Sequence, residues 1–217
     1  MRRTSSRLGS AALVLLTAFA LSACTSDGPP SPPTSVATTK EAPETESAPA
    51  SSPPATPTAT LATGSGPNQD VTKAPPPPDA LGGPATESNA VEVGKYFMAL
   101  FPYAVATGDL GSWNRLSGPD CHYCATLRSI VVEMADAKQH GTGGAYDIGF
   151  STGSALDEDT YILSIELKQY PSQTLDDDGN VVDDYPDVIF YRANIETTWD
   201  GSRWIVDGVD MVELSRT

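Results

Sequence analysis

Apolar residues first recur at helical spacing. Ala90, Val93, Phe97, Leu100, Phe101, Ala104 and Val105 lie three and four apart, as on the buried face of one long helix. Ser88 stands where an N-cap would, and Gly108 where the helix should end. Pro102 lacks a backbone donor and predicts a kink or a fresh turn. Asp109 heads a short second helix with Leu110, Trp113 and Leu116 on one side, closed by Gly118-Pro119. Asp120 heads a third, striped by Cys124, Leu127, Val131 and Met134. Lys138 and His140 fall in its last turn, where cations suit the helix dipole, and Gly141 stops it. The period then drops to two. Tyr146, Ile148 and Phe150 alternate, and so do Tyr161, Leu163, Ile165 and Leu167, with Ser164, Glu166 and Lys168 facing the other way. Ile189, Tyr191, Ala193, Ile195 and Trp199 mark a further strand, and Asp200-Gly201 a hairpin turn. The return strand carries Trp204, Ile205, Val206, Val209 and Met211, with Gly208 placed for a bulge. Helices followed by an antiparallel meander predict an α+β fold, with N-terminal helices packed on a curved antiparallel sheet.

Upstream of this region the pattern is different. Arg2, Arg3 and Arg7 precede an apolar run from Ala11 to Ala20, then small residues, which is the order of a secretory signal peptide. The run is too short to span a bilayer as a helix. Leu21-Ser22-Ala23-Cys24 resembles the bacterial lipoprotein signal, in which the Cys thiol receives a diacylglycerol and the chain is cut just before it. That resemblance makes Cys24 the lipidation site. Two acyl chains, at about 0.8 kcal/mol per buried methylene, hold a protein firmly on a membrane. From Thr25 to Thr86 the chain has no Phe, Tyr or Trp and carries fifteen of its 19 Pro, including Pro75-Pro76-Pro77-Pro78. Too little apolar surface is on offer to offset the entropy of ordering, so a disordered, extended tether is expected. The predicted organisation is a signal peptide over 1–23, a tether over 24–86 and one folded domain over 87–217.

The chain of 217 residues has a formal charge of −15. Residues 87–217 hold 22 acids against eight bases, and all three Trp and all eight Tyr. So acidic a domain is unsuited to nucleic acid, whose phosphates call for a surplus of Lys and Arg. It would be repelled by anionic lipid and attracted to a cationic partner.

Chemistry-bearing residues are few. Cys121-His122-Tyr123-Cys124 is the sharpest motif: with Cys24 lipidated, an even pair remains, and an exported protein permits disulfides. A staple between loop and third helix is the leading reading. A redox couple, with thiol pKa lowered at a helix start, and a metal site are the alternatives. Asp176-Asp177-Asp178-Gly179-Asn180 places oxygens of Asp176, Asp178 and Asn180 at the first, third and fifth positions of a calcium-type loop. Val181 stands where such a loop needs Gly, and Asp187 where it needs Glu, so a polar hairpin tip is the competing reading. No G-x-S-x-G occurs and there are only two His, which leaves no catalytic residue to name and implies no cofactor. Trp113, Trp199 and Trp204 are expected in the core or at its rim.

The order of three helices, the second beginning in Thr107-Gly108-Asp109 and carrying Trp113, then long antiparallel strands resembles the nuclear transport factor 2-like, or cystatin-like, roll. The hairpin from Trp199 to Gly208 is similar to the closing strands of many secreted members, and the stretch from Tyr96 to Cys124 resembles uncharacterised actinobacterial lipoproteins. That resemblance implies the roll and no particular activity, since the fold hosts isomerases, hydrolases, carriers and interaction modules. The expected protein is lipid-anchored on the extracytoplasmic face of the cell membrane, and its acidic domain binds a protein or cell-envelope ligand. The alternatives are an enzyme built round a pocket of the same roll and a thiol-redox protein using Cys121 and Cys124.

Overall fold

The computed structural model describes residues 66–217. The expected signal peptide, Cys24 and the expected tether up to residue 65 lie outside the described residues. The architecture is α+β, with helices laid across a curved antiparallel sheet. Helix α1 spans Glu87–Thr107, α2 Gly111–Leu116 and α3 His122–Asp136. Seven strands follow: β1 (Gln139–Gly143), β2 (Tyr146–Ala155), β3 (Thr160–Gln169), β4 (Ser172–Asp176), β5 (Val181–Tyr185), β6 (Ile189–Trp199) and β7 (Trp204–Arg216). No helix among the described residues is long and apolar enough to cross a membrane.

Helix ends follow their caps. The Thr86 hydroxyl accepts a hydrogen bond from the Asn89 N–H at 3.2 Å, so the N-cap lies two residues before Ser88. At the other end Gly108 adopts φ 77° and donates its N–H to the Ala104 carbonyl. Pro102 does not end α1, which continues to Thr107. Asp109 accepts from the Gly111 N–H at 2.8 Å, and Cys121, not Asp120, caps α3, its sulfur accepting from the Cys124 N–H.

The main sheet runs β2-β3-β6-β7, antiparallel throughout. Tyr161, Leu163, Ile165 and Leu167 of β3 are all buried beneath the helices, as their alternation predicts. Val93 and Phe97 of α1 and Trp204 and Val206 of β7 join them in one core. Phe97 stacks on Trp113 with ring centroids 4.1 Å apart, and the Trp113 indole N–H donates to the Cys124 carbonyl. The β6–β7 register slips by one residue between Glu196 and Thr197, next to Gly208, and the extra residue bends the sheet there.

Two expectations are corrected. The third helix stops at Asp136; Lys138 turns the chain at φ 56°, and His140 lies in β1, paired with Leu175. β1 closes so tightly against α1 that position 141 needs glycine: a Cβ on Gly141 would stand 2.5 Å from Val105 Cγ1. Strands β1, β4 and β5 form a separate three-stranded sheet in the order β1-β4-β5, so the meander is interrupted between β3 and β6. The second correction concerns the boundary at 86/87. Part of the expected tether is docked on the domain. Val71 is buried against Ala106, Ala145 and Tyr170, a 3-10 helix spans Asp79–Gly82, and the Trp204 indole N–H donates to the Ala80 carbonyl at 2.9 Å. A few small apolar residues suffice because the domain supplies the apolar surface and the indole donor that the segment lacks.

Candidate functional site

A cavity of about 580 Å³ opens between the C-terminal half of α1, the outer side of α3 and the small sheet. Drug-sized ligands occupy pockets of this size. Phe101, Val105, Ile130, Met134 and Ile189 give it an apolar floor. Gln169, Gln173, Asp184 and Asp187 supply polar groups round it.

Local geometry explains the opening. The turn from β1 into β2 uses Gly143 and Gly144, both at φ 70°. A Cβ on Gly143 would stand 2.5 Å from the Pro171 carbonyl oxygen, so this close crossing needs glycine. The crossing carries the small sheet away from the main one, and the space between them is the cavity. Its floor is backed by aromatic packing: Phe101 stacks on Tyr146 at 5.7 Å and on Tyr123 at 6.2 Å. Burial, and then the neighbouring phenols, push the Tyr146 hydroxyl well above its ordinary pKa. Burial raises Tyr123 for the same reason.

At the mouth, Arg216 bridges Asp187 at 3.0 Å and Glu213 at 2.8 Å. The guanidinium's hydrogen bonds hold the Glu213 carboxyl below its usual range. Desolvation first, and Glu213 second, raise the Tyr191 phenol. The Gln173 amide donates to Asp184 at 3.1 Å. On the opposite wall the Tyr170 hydroxyl donates to Asp147 Oδ2, and Lys168 Nζ lies 4.7 Å from the centre of the Tyr170 ring. Asp147 Oδ1 is buried without a hydrogen-bond partner among the described residues.

The residues named from sequence lie elsewhere. Cys121 and Cys124 are bonded to each other, with Cα atoms 5.2 Å apart. They are 1% and 0% exposed, and a sulfur so enclosed offers no approach to an attacking thiol. Asp176, Asp178 and Asn180 form the tip between β4 and β5. Asp176 Oδ1 accepts from the Asp178 N–H, the Asn180 N–H and the Asn180 amide, so this carboxylate locks the turn. No group of three or more His, Cys, Asp or Glu side chains among the described residues is arranged to hold a metal ion. Trp113 and Trp204 are core residues, and Trp199, half-buried, packs on Trp204 at 5.4 Å. Sequence reasoning did not find the cavity. Its walls come from α1, α3, both sheets and the chain between β5 and β6, and no contiguous motif marks them.

Comparisons with known proteins add the following. A family model described as a family of unknown function, DUF6318, matches residues 57–210. No curated protein matches the sequence. Among solved structures, the intermembrane space region of the chloroplast protein ARC6 is similar at 12% identity and a TM-score of 0.45, over 59% of this chain and 97% of that one. A protein from Kribbella flavida is similar at 12% identity and a TM-score of 0.36, over 60% and 95%. A protein from Novosphingobium aromaticivorans, provisionally described as a scytalone dehydratase, is similar at 11% identity and a TM-score of 0.41, over 60% and 89%.

Proposed function

The chain belongs to the DUF6318 family, and from that premise we propose that it is a lipid-anchored binding module of the extracytoplasmic membrane face. Cys24 carries the lipid, the Pro-rich segment after it acts as a spacer, and the domain presents its cavity to a ligand of the cell envelope. The observation that carries the binding part is the open cavity of about 580 Å³, apolar in its floor and polar at its mouth. A ligand with an apolar body and a hydrogen-bonding or cationic end fits that division. The anchor rests on the signal-like N-terminus and on Leu21-Ser22-Ala23-Cys24. The enclosed Cys121–Cys124 bond speaks for a staple over a redox couple.

A second reading, an enzyme of the same roll, has one observation behind it. The Tyr170 hydroxyl at the cavity wall is held by Asp147, whose other oxygen is buried and unpaired. Tyr170 lines the cavity, so its phenol is the member of this pair that a bound molecule would meet.

One preparation tests the leading reading. The full chain is extracted from its host's membranes in mild detergent and weighed by native mass spectrometry beside a Val105→Trp variant, in which the indole fills the cavity. The expected result is a bound small molecule on the wild type and none on the variant, with a diacylglycerol mass on Cys24 in both. An unacylated Cys24 removes the anchor. An unliganded wild-type domain that also shows no thermal stabilisation by envelope extracts removes the binding function.

A further inference from the structure

Strand β5 is the free edge of the small sheet. It pairs only with β4, and all five of its residues are exposed. An edge strand presents one side of its backbone N–H and C=O groups unpaired, a template for another extended chain. The other edge of this sheet, β1, is packed against α1 and α3 and is closed to such pairing. Val181, Val182 and Tyr185 make the β5 edge apolar, while Asp183 and Asp184 make it acidic. From Tyr170 to Tyr191 the chain has six Asp and no Lys or Arg, so the field along this edge is of one sign.

We propose that β5 takes up, as an added strand, an extended polypeptide segment of a partner protein in which two adjacent lysines or arginines are flanked by apolar residues. Main-chain hydrogen bonds to the open side of β5 hold the segment. Asp183 and Asp184 are consecutive and so face opposite sides of the sheet; each is met by one of the two neighbouring basic side chains, with apolar ones against the exposed valines. A second copy of this chain is a poorer occupant: β5 would bring to the pairing the same two acids and no Lys or Arg to meet Asp183 and Asp184. The β5 residues Asp184 and Tyr185, and Pro186 and Asp187 just beyond, also line the cavity mouth, so an added strand would pass beside the cavity without needing to enter it. The inference extends the binding-module reading and does not require the cavity to be occupied.

The probe is a labelled nine-residue peptide, Val-Val-Lys-Lys-Val-Val-Lys-Lys-Val, with fluorescence anisotropy read on the full chain. Two further peptides carry N-methyl groups on alternate amides, one in each register. A fourth has Glu for Lys. The Lys peptide is expected to bind and the Glu peptide not to. One of the two N-methylated peptides is expected to bind at least about tenfold more weakly, because it cannot donate to the open edge. Asp183→Asn with Asp184→Asn keeps an acceptor for Gln173 and should weaken the Lys peptide by about five- to tenfold at low salt, with unchanged circular dichroism. Equal binding of both N-methylated peptides and the parent overturns strand addition at β5, and undiminished binding to the Asp183→Asn, Asp184→Asn variant overturns the charge pairing.

Discussion

Trp204→Phe tests whether residues 66–86 belong to the fold. The Trp204 ring is 1% exposed and its N–H donates to the Ala80 carbonyl at 2.9 Å. Phe keeps an aromatic ring but cannot donate. The Ala80 carbonyl still accepts from the Gly83 N–H at 3.1 Å, so it is not stripped of partners, and losing one buried bond costs about 1 kcal/mol. The smaller ring leaves roughly 40 Å³ of void, which at 24 cal/mol per Å³ adds about 1 kcal/mol. Lost transfer energy of the removed carbons contributes a similar amount. The expected total is about 2–3 kcal/mol, or a fall in Tm of roughly 5–10 °C for a domain of this size. Urea unfolding of the full chain, followed by tryptophan fluorescence and circular dichroism, measures it. Hydrogen exchange adds a local readout: the Leu81 and Gly83 amides, which donate to Pro78 and Ala80, should lose protection ahead of the sheet. A loss below about 0.5 kcal/mol with unchanged protection at both amides would refute the docking of this segment.

Replacing both Cys121 and Cys124 by Ser opens a four-residue loop, for which loop entropy predicts a loss of only about 2 kcal/mol. The double variant should therefore still fold, with a lower urea midpoint and unchanged far-ultraviolet circular dichroism; an unfolded product shows that the staple does more than close a loop. The phenols behind the cavity give a pH dependence. Burial raises Tyr146 and Tyr123 above the ordinary value of 10.0, so above that pH the unfolded chain releases protons that the folded one keeps. Stability is then undiminished below pH 10 and falls as pH rises beyond it. A rapid jump to about pH 11.5, followed by phenolate absorbance, should show two tyrosines ionising only at the rate of unfolding. If all eight tyrosines of the chain ionise within the mixing time, the burial is wrong.

Long elements were legible because burial imposes a period on them. The stripe Ala90, Val93, Phe97 and the alternation Tyr161, Leu163, Ile165, Leu167 each face the core, and the structure places them there. Gly108 ended its helix because the left-handed cap favours glycine, and the slip at Gly208 fell where that residue had suggested a bulge. The small sheet was illegible for the opposite reason. Gln139-His140-Gly141-Thr142-Gly143 has no apolar alternation, and β5 buries neither face, so pairing alone makes both strands. His140 was assigned to a helix end on charge. Nothing in its neighbours shows that Gly141 must pass close to Val105. Residues 66–86 read as tether because their composition is that of one, while their docking depends on partners more than a hundred residues away, as in the Trp204–Ala80 bond. The calcium-like spacing at Asp176 shares its residue types with an ordinary turn, and Asp176 Oδ1 accepts from the turn's own amides.

The docked segment also decides how the domain responds to being pulled. Tension arriving from upstream reaches Val71 first, then the Ala80–Trp204 bond, and only afterwards the start of α1 at Glu87. Leu81 and Ala85 on the core and the Asn89–Pro84 bond add to these grips, but all are isolated contacts, whereas the sheet behind them is zipped by whole strands. The segment should therefore peel away as a mechanical fuse, paying out about 50 Å of chain at roughly 3.4 Å per residue while the sheet stays shut. Val71 rests on Tyr170, which lines the cavity, so the same tug also uncovers the far side of that wall.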